Sequence, residues 1–141
     1  MKASEILFDQ NISNRDKFGC FVKCRMEELN MRAIDLAIAL HISPAYVADF
    51  VKGNRHAPLN RLDDLVQILK VETDDLYYFY DIAGCSHGNW PDINEYLAHN
   101  PNARKAIRLA KAKNLSEEEF LNAVNQMIQS QAEEEPEEFG L

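Results

Sequence analysis

Three cysteines (Cys20, Cys24 and Cys85) and four histidines (His41, His56, His87 and His99) are the side chains best suited to bind a metal or to serve as nucleophile and base. Cys20 and Cys24 stand four residues apart, on one face of a predicted helix, and with Cys85 and His87 they could in principle surround zinc. Their spacing matches no common zinc motif, so they read as free thiols of a reducing compartment, and no metal or other cofactor is expected. The histidines are scattered among loops and helix ends. The chain has no glycine-rich phosphate loop, no nucleophile elbow and no HExxH. With no converging acid, base and nucleophile, no catalytic residue is assigned and the chain is not expected to be an enzyme.

What remains is the chemistry of anion recognition. Asn54, Arg55 and His56 form a polar, partly cationic loop directly after Gly53. The net charge of −8 argues against nucleic acid if taken over the whole chain, but it is unevenly distributed. Residues 1–16 carry −1, residues 17–70 carry +2 from 8 basic and 6 acidic side chains, residues 71–80 carry −3, and residues 81–141 carry −6. A local cationic excess on one face can hold phosphates, while the acidic remainder weakens non-specific binding and sharpens its salt dependence.

The elements that would position that loop are legible in LAIALHISPAYVADFVKGNRHAP, residues 36–58. Leu36, Ala37, Leu40, Ile42, Val47 and Phe50 fit two short helices whose inner faces meet across a tight connection. Ser43 can cap a helix because its hydroxyl accepts a backbone N–H one turn on, and Pro44 falls at the first helical position, where its missing N–H costs nothing. A helix over 43–52 follows, stopped by Gly53. Pro58 then opens the next one.

The pattern Leu36-Ala37, Ile42-Ser43-Pro44, Tyr46-Val47, Phe50, Gly53 and Pro58 resembles the helix-turn-helix of the lambda-repressor-like (Cro/CI, XRE) DNA-binding family, and the similarity extends from Phe18-Gly19 to Leu76. The resemblance implies an all-α, five-helix domain that binds double-stranded DNA as a homodimer, with the helix over 43–52 in the major groove. Carried over position by position, Pro44, Ala45, Ala48 and Asp49 would face the bases. Arg32, Ser43, Lys52, Asn54, Arg55, His56 and Arg61 would lie near phosphates.

Two departures from the family pattern matter. The base-facing set lacks the arginine, asparagine or glutamine that makes bidentate contacts, so methyl contacts from Pro44 or Ala45 and groove shape would carry the reading. Asp49 either accepts from cytosine N4 or is a solvated residue tied to a nearby cation. The family's common arginine–glutamate pair is also replaced, by Met26 and Val51, which are expected to pack near each other without leaving a lone charge. These departures sustain an alternative: a protein-interaction module, antirepressor or adaptor, with weak or no DNA binding and a protein partner.

Around the 36–58 stretch, residues 1–16 read as an N-terminal arm or brief helix that docks on its own domain or on a second subunit. Residues 17–84 form the helix-turn-helix domain, with helices over 16–29, 32–40, 43–52, 59–70 and 73–83, Thr73 capping the last and Gly84 stopping it. The aromatics Tyr77, Phe79 and Tyr80 complete the core or form a dimer contact. Residues 85–131 read as a small helical extension: a helix over 92–99 with Ile93, Tyr96 and Leu97 inward, one from Pro101 to Lys113 capped by Asn100, and a last one opened by a Ser116/Glu119 capping box. This extension resembles that of one bacterial subgroup of the same regulators and would associate with the domain or mediate self-association. Residues 132–141 are acidic and expected to be disordered. No run of about 18 apolar residues and no secretory signal is present, so no membrane span is expected and the protein should be cytoplasmic.

Overall fold

In the computed structural model, residues 1–85 and 87–134 are described, and among them the fold is all-α. The helices are α1 (Ala3–Ile6), α2 (Asn14–Glu28), α3 (Ala33–Leu40), α4 (Pro44–Val51), α5 (Leu62–Ile68), α6 (Leu76–Cys85), α7 (Pro91–His99), α8 (Pro101–Ala112) and α9 (Glu117–Glu134). Short 3-10 turns, Leu59–Arg61 and Thr73–Asp75, lead into α5 and α6. The chain divides into two compact units, Met1–Glu95 and Tyr96–Leu141.

The core belongs to the first unit. Phe21, Val22, Leu36, Leu40, Val47, Phe50, Leu65, Leu69 and Phe79 are each at most 1% exposed, and together they join α2 through α6. Phe79 lies at the centre, its ring 5.7 Å from Phe18 and 5.5 Å from Phe21. Of the α6 aromatics, Phe79 completes the core and Tyr80 is half-buried, whereas Tyr77 is 82% exposed. Tyr80 donates to Asp63 Oδ1 at 2.6 Å, and burial first, then that carboxylate, pushes its pKa up to about 12. A phenol whose folded pKa is raised resists ionising, so stability should fall as pH rises from about 10, where the unfolded tyrosine ionises, toward about 12. In an absorbance titration, Tyr80→Phe should remove one tyrosinate transition near the upper end of that range.

The N-terminal residues dock on their own unit. Ala3, Ile6 and Leu7 are buried, Lys17 Nζ donates to Leu7 O at 3.2 Å, and Ala3 N–H donates to Glu28 Oε1 at 2.6 Å. That backbone donor, helped by Arg25, holds the Glu28 carboxyl below its usual range. The arm therefore ends earlier than residue 16: Ser13 caps α2 by accepting from Asp16 N–H at 3.2 Å, which puts residues 14–16 inside the helix. Arg25, from the other end of α2, donates to Leu69 O and Lys70 O at 2.8 and 3.1 Å, satisfying carbonyls just past α5.

Other expectations are corrected by packing. Gly84 does not stop α6, which continues to Cys85; a Cβ there would stand 2.4 Å from Trp90 Cδ1 and 2.6 Å from Asn89 O, so the glycine makes room for the chain to fold back. Trp90 Nε1 donates to Asp81 O at 3.2 Å, and His87 Nε2 to Ala57 O at 3.0 Å. Residues 87–90 thus belong with the first unit, and the division falls after Glu95 rather than after residue 84. Thr73 lies inside a 3-10 turn and caps nothing. Met26 is buried, but Val51 O closes on α2 at Gly19, roughly 10 Å along the helix from Met26 at 1.5 Å per residue, so the expected Met26–Val51 contact is not how the two helices meet.

In α7, Ile93 and Tyr96 are exposed rather than inward. Asn100 donates its side-chain amide back to Tyr96 O at 2.6 Å instead of capping α8. The α9 capping box is present: Ser116 N–H donates to Glu119 Oε2 and Glu119 N–H to Ser116 Oγ, both at 3.2 Å. Residues 132–134 continue α9, and the rest of the acidic tail, 135–141, lies outside the described residues. Among the described residues no single helix is long and apolar enough to cross a membrane.

Candidate nucleic-acid interface

The helix pair α3–α4 turns through 113° at its three-residue break. The break is made by local chemistry. His41 takes a left-handed conformation, φ 57°, which lets its N–H and that of Ile42 return to α3 carbonyls. Ser43, extended at φ −73° and ψ 148°, accepts from Tyr46 N–H at 3.1 Å, and Pro44 occupies the first turn of α4. Lys52 closes the helix and Gly53, φ +82°, carries the chain out of it in a conformation that penalises a side chain.

Two faces of α4 result. Val47 and Phe50 are buried, with Phe50 packed 5.9 Å from Phe18, and these fix the helix on the core. Pro44 and Ala45 are exposed and Ala48 and Asp49 half-exposed on the other side, so the four residues assigned to bases do share an outward surface of small side chains.

The cations assigned to phosphates divide into two sets. Arg55 is held against α4: its guanidinium lies 4.9 Å over the Tyr46 ring, and its Nε stands 3.7 Å from Asp49 Oδ2. Asn54 and Arg55 N–H groups both return to Asp49 O, at 2.9 and 3.3 Å, which folds the loop onto the end of the helix. Lys52 and Asn54 are exposed beside them, and among the described residues Lys52 makes no ion pair. Ser43 keeps its hydroxyl proton for another acceptor, since its oxygen is the group used in capping. His56 lies with its ring 4.2 Å from that of His87.

Arg32 and Arg61 are engaged elsewhere. Arg32 donates through Nε and Nη2 to both oxygens of Asp35, at 3.1 Å each, and Asp35 Oδ2 also accepts Arg32 N–H at 2.9 Å. The paired charges push the Asp35 carboxyl down and the Arg32 guanidinium up. Arg61 stands 3.9 Å from Asp64. A phosphate would have to displace these carboxylates, which are solvent-exposed and weakly held.

Two site features were not assigned from the sequence. Arg15, in the first turn of α2, joins Asn54, Arg55 and His56 around a small cleft of about 60 Å³ floored by Phe18, Gly19 and Phe50. It lay in the segment read as an arm, where the Ser13 capping signal could have placed it on the helix. Tyr46 was read only as part of the helical pattern, yet its ring face is the platform that orients Arg55.

The thiols form no centre. Cys20, Cys24 and Cys85 are free and half-buried; burial and Glu28 raise the Cys24 thiol, and burial and Asp81 raise that of Cys85. Among the described residues no group of three or more His, Cys, Asp or Glu side chains is placed to hold a metal ion. No family model, curated protein or solved structure matches the chain.

Proposed function

We propose that the protein is a sequence-specific, double-stranded DNA-binding transcriptional regulator of the lambda-repressor-like kind, acting as a homodimer with α4 in the major groove. The observation that carries this reading is the outer surface of α4. It is narrow, built from Pro44, Ala45, Ala48 and Asp49, and flanked at one end by Ser43 and at the other by Lys52, Asn54 and Arg55. Small side chains let a helix sink to the floor of a groove about 12 Å wide, while the flanking donors grip the backbone on either side. The 113° bend lies in the range of helix-turn-helix pairs. In a twofold dimer the two α4 helices would stand about 34 Å apart, on near-palindromic half-sites. The reading assigns no cofactor and no catalysis.

A protein-interaction module is the second reading, and one observation favours it. Arg32, Arg55 and Arg61 each face a carboxylate of their own unit, Asp35, Asp49 and Asp64. The two readings separate on selection of bound fragments from a random DNA pool, followed by anisotropy titration at two salt concentrations. The regulator returns an enriched palindrome whose affinity falls with salt; the module returns no enrichment.

Asp49→Asn is the sharper probe of the paired arginines. It removes the carboxylate facing Arg55 and leaves Arg55 on Tyr46, so DNA affinity should rise several-fold and the log–log salt slope should steepen by about 1, the signature of one added phosphate contact. An unchanged slope would show that Arg55 does not reach the backbone.

A further inference from the structure

Two amphipathic helices in the second unit have no partner. No side chain among residues 96–133 is buried, and the large apolar ones are open to water: Ile107 is 45% exposed, Phe120 38%, and Leu121, Met127 and Ile128 59% each. On α9, Phe120, Leu121, Val124, Met127 and Ile128 recur at intervals of three and four, which gathers them into one stripe, with Asn122, Asn125, Gln126 and Gln129 opposite. On α8, Ala103, Ala106, Ile107 and Ala110 do the same. The two helices are joined through a left-handed Asn114, φ 55°, and do not pack along each other. Helices of 12 and 18 residues draw little net stability from their own hydrogen bonds in water, so these stripes require cover.

Charge decides what covers them. α8 carries Arg104, Lys105, Arg108 and Lys111 and no acid; α9 carries Glu117, Glu118, Glu119 and Glu133 and no base. Pairing α9 with the α9 of a second copy brings carboxylates together in either direction, because acids occupy both of its ends. Pairing α8 with α8 brings cations together. Pairing α8 of one copy with α9 of another matches opposite charges beside two apolar stripes, and a twofold axis repeats the same match on the other side. A surface that holds both halves of its own complement is the requirement for a closed, isologous dimer.

We propose that the second unit is a self-association module in which α8 of one copy packs on α9 of the other. The proposal supplies the dimer surface that the DNA-binding reading needs, but it stands on separate observations and is tested without DNA.

The test is sedimentation equilibrium of the full chain across micromolar concentrations. The chain should be a dimer at low salt and dissociate more readily at about 0.5 M salt, where charges are screened within a few ångström. Leu121→Glu with Ile128→Glu should raise the dimer dissociation constant by about 100-fold or more, as expected when central apolar contacts are lost. The thermal transition of the first unit should stay in place. Lys105→Glu with Arg108→Glu should weaken the dimer, as should Glu118→Lys with Glu133→Lys, and all four in one chain should restore it. Rescue by the double reversal is an outcome that mere damage to a helix cannot produce. A monomer throughout the range, a dimer that survives Leu121→Glu/Ile128→Glu, or a reversal without rescue would each overturn the proposal; the first would point to cover by the chain's own first unit. A dimer that behaves as expected and yet selects no DNA would remove the DNA-binding reading alone.

Discussion

Ala45→Glu should reduce operator affinity by about 100-fold or more while leaving the melting temperature of the protein unchanged. Ala45 is exposed in the first turn of α4, beside Pro44, on the surface proposed to enter the groove. A carboxylate there would face the phosphates lining both walls, and juxtaposed like charges cost several kcal/mol, with each 1.4 kcal/mol worth about a factor of ten. The folded state would not suffer. Surface substitutions away from packed features usually stay within about 0.5 kcal/mol, and an acid in the first turn interacts favourably with the helix dipole. Binding and folding are therefore expected to separate cleanly, which a titration beside a thermal melt would show. If Ala45→Glu binds the selected operator as the parent does, α4 does not lie in the groove.

The opposite separation is expected at Gly19. A Cβ placed on this residue would stand 2.3 Å from Val51 O and 3.0 Å from Phe50 O. Both neighbours are backbone at the end of α4, so no rotamer change relieves the clash and the last turn of α4 must move. Overpacking of this kind typically costs 1–3 kcal/mol and occasionally more, against about 1 kcal/mol regained because alanine favours α2 over glycine. A net loss of about 2 kcal/mol should lower the melting temperature by about 10 °C for a unit of this size. Because the displaced turn carries Asp49, Lys52 and the start of the Arg55 loop, DNA affinity should fall as well, even at temperatures where the protein is fully folded. A Gly19→Ala protein that melts with the parent would mean that α2 and α4 are not held as closely as the coordinates place them.

These two substitutions mark how far the sequence alone reaches. Ser43, Pro44 and Gly53 could be assigned before any coordinates because each acts on its own neighbours: a hydroxyl reaching a backbone N–H three residues on, a ring that fixes φ, and a missing side chain where φ must be positive. The helical stripe of Phe18, Phe21, Val22 and Met26 and the Ser116/Glu119 capping box were legible for the same reason. Gly84 misled because a glycine at a helix end and a glycine under a tryptophan look alike in sequence. Only the return of the chain after Cys85, which brings Trp90 onto α6, distinguishes them.

The candidate site divides along the same line. Which residues of α4 face outward follows from a period of 3.6 and the identity of Val47 and Phe50, so the surface of Pro44, Ala45, Ala48 and Asp49 was determined by sequence. Whether Arg55 is available to a phosphate was not. That depends on the loop folding back so that Asn54 and Arg55 N–H groups meet Asp49 O, which sets the guanidinium between Tyr46 and Asp49. It depends equally on Arg32 and Arg61 finding Asp35 and Asp64. Local backbone chemistry and helical period are short-range and act before the chain is folded, so they can be read in order along the chain. The partner of a long cationic side chain is chosen only when distant groups have been brought within a few ångström, and here the tertiary structure made that choice.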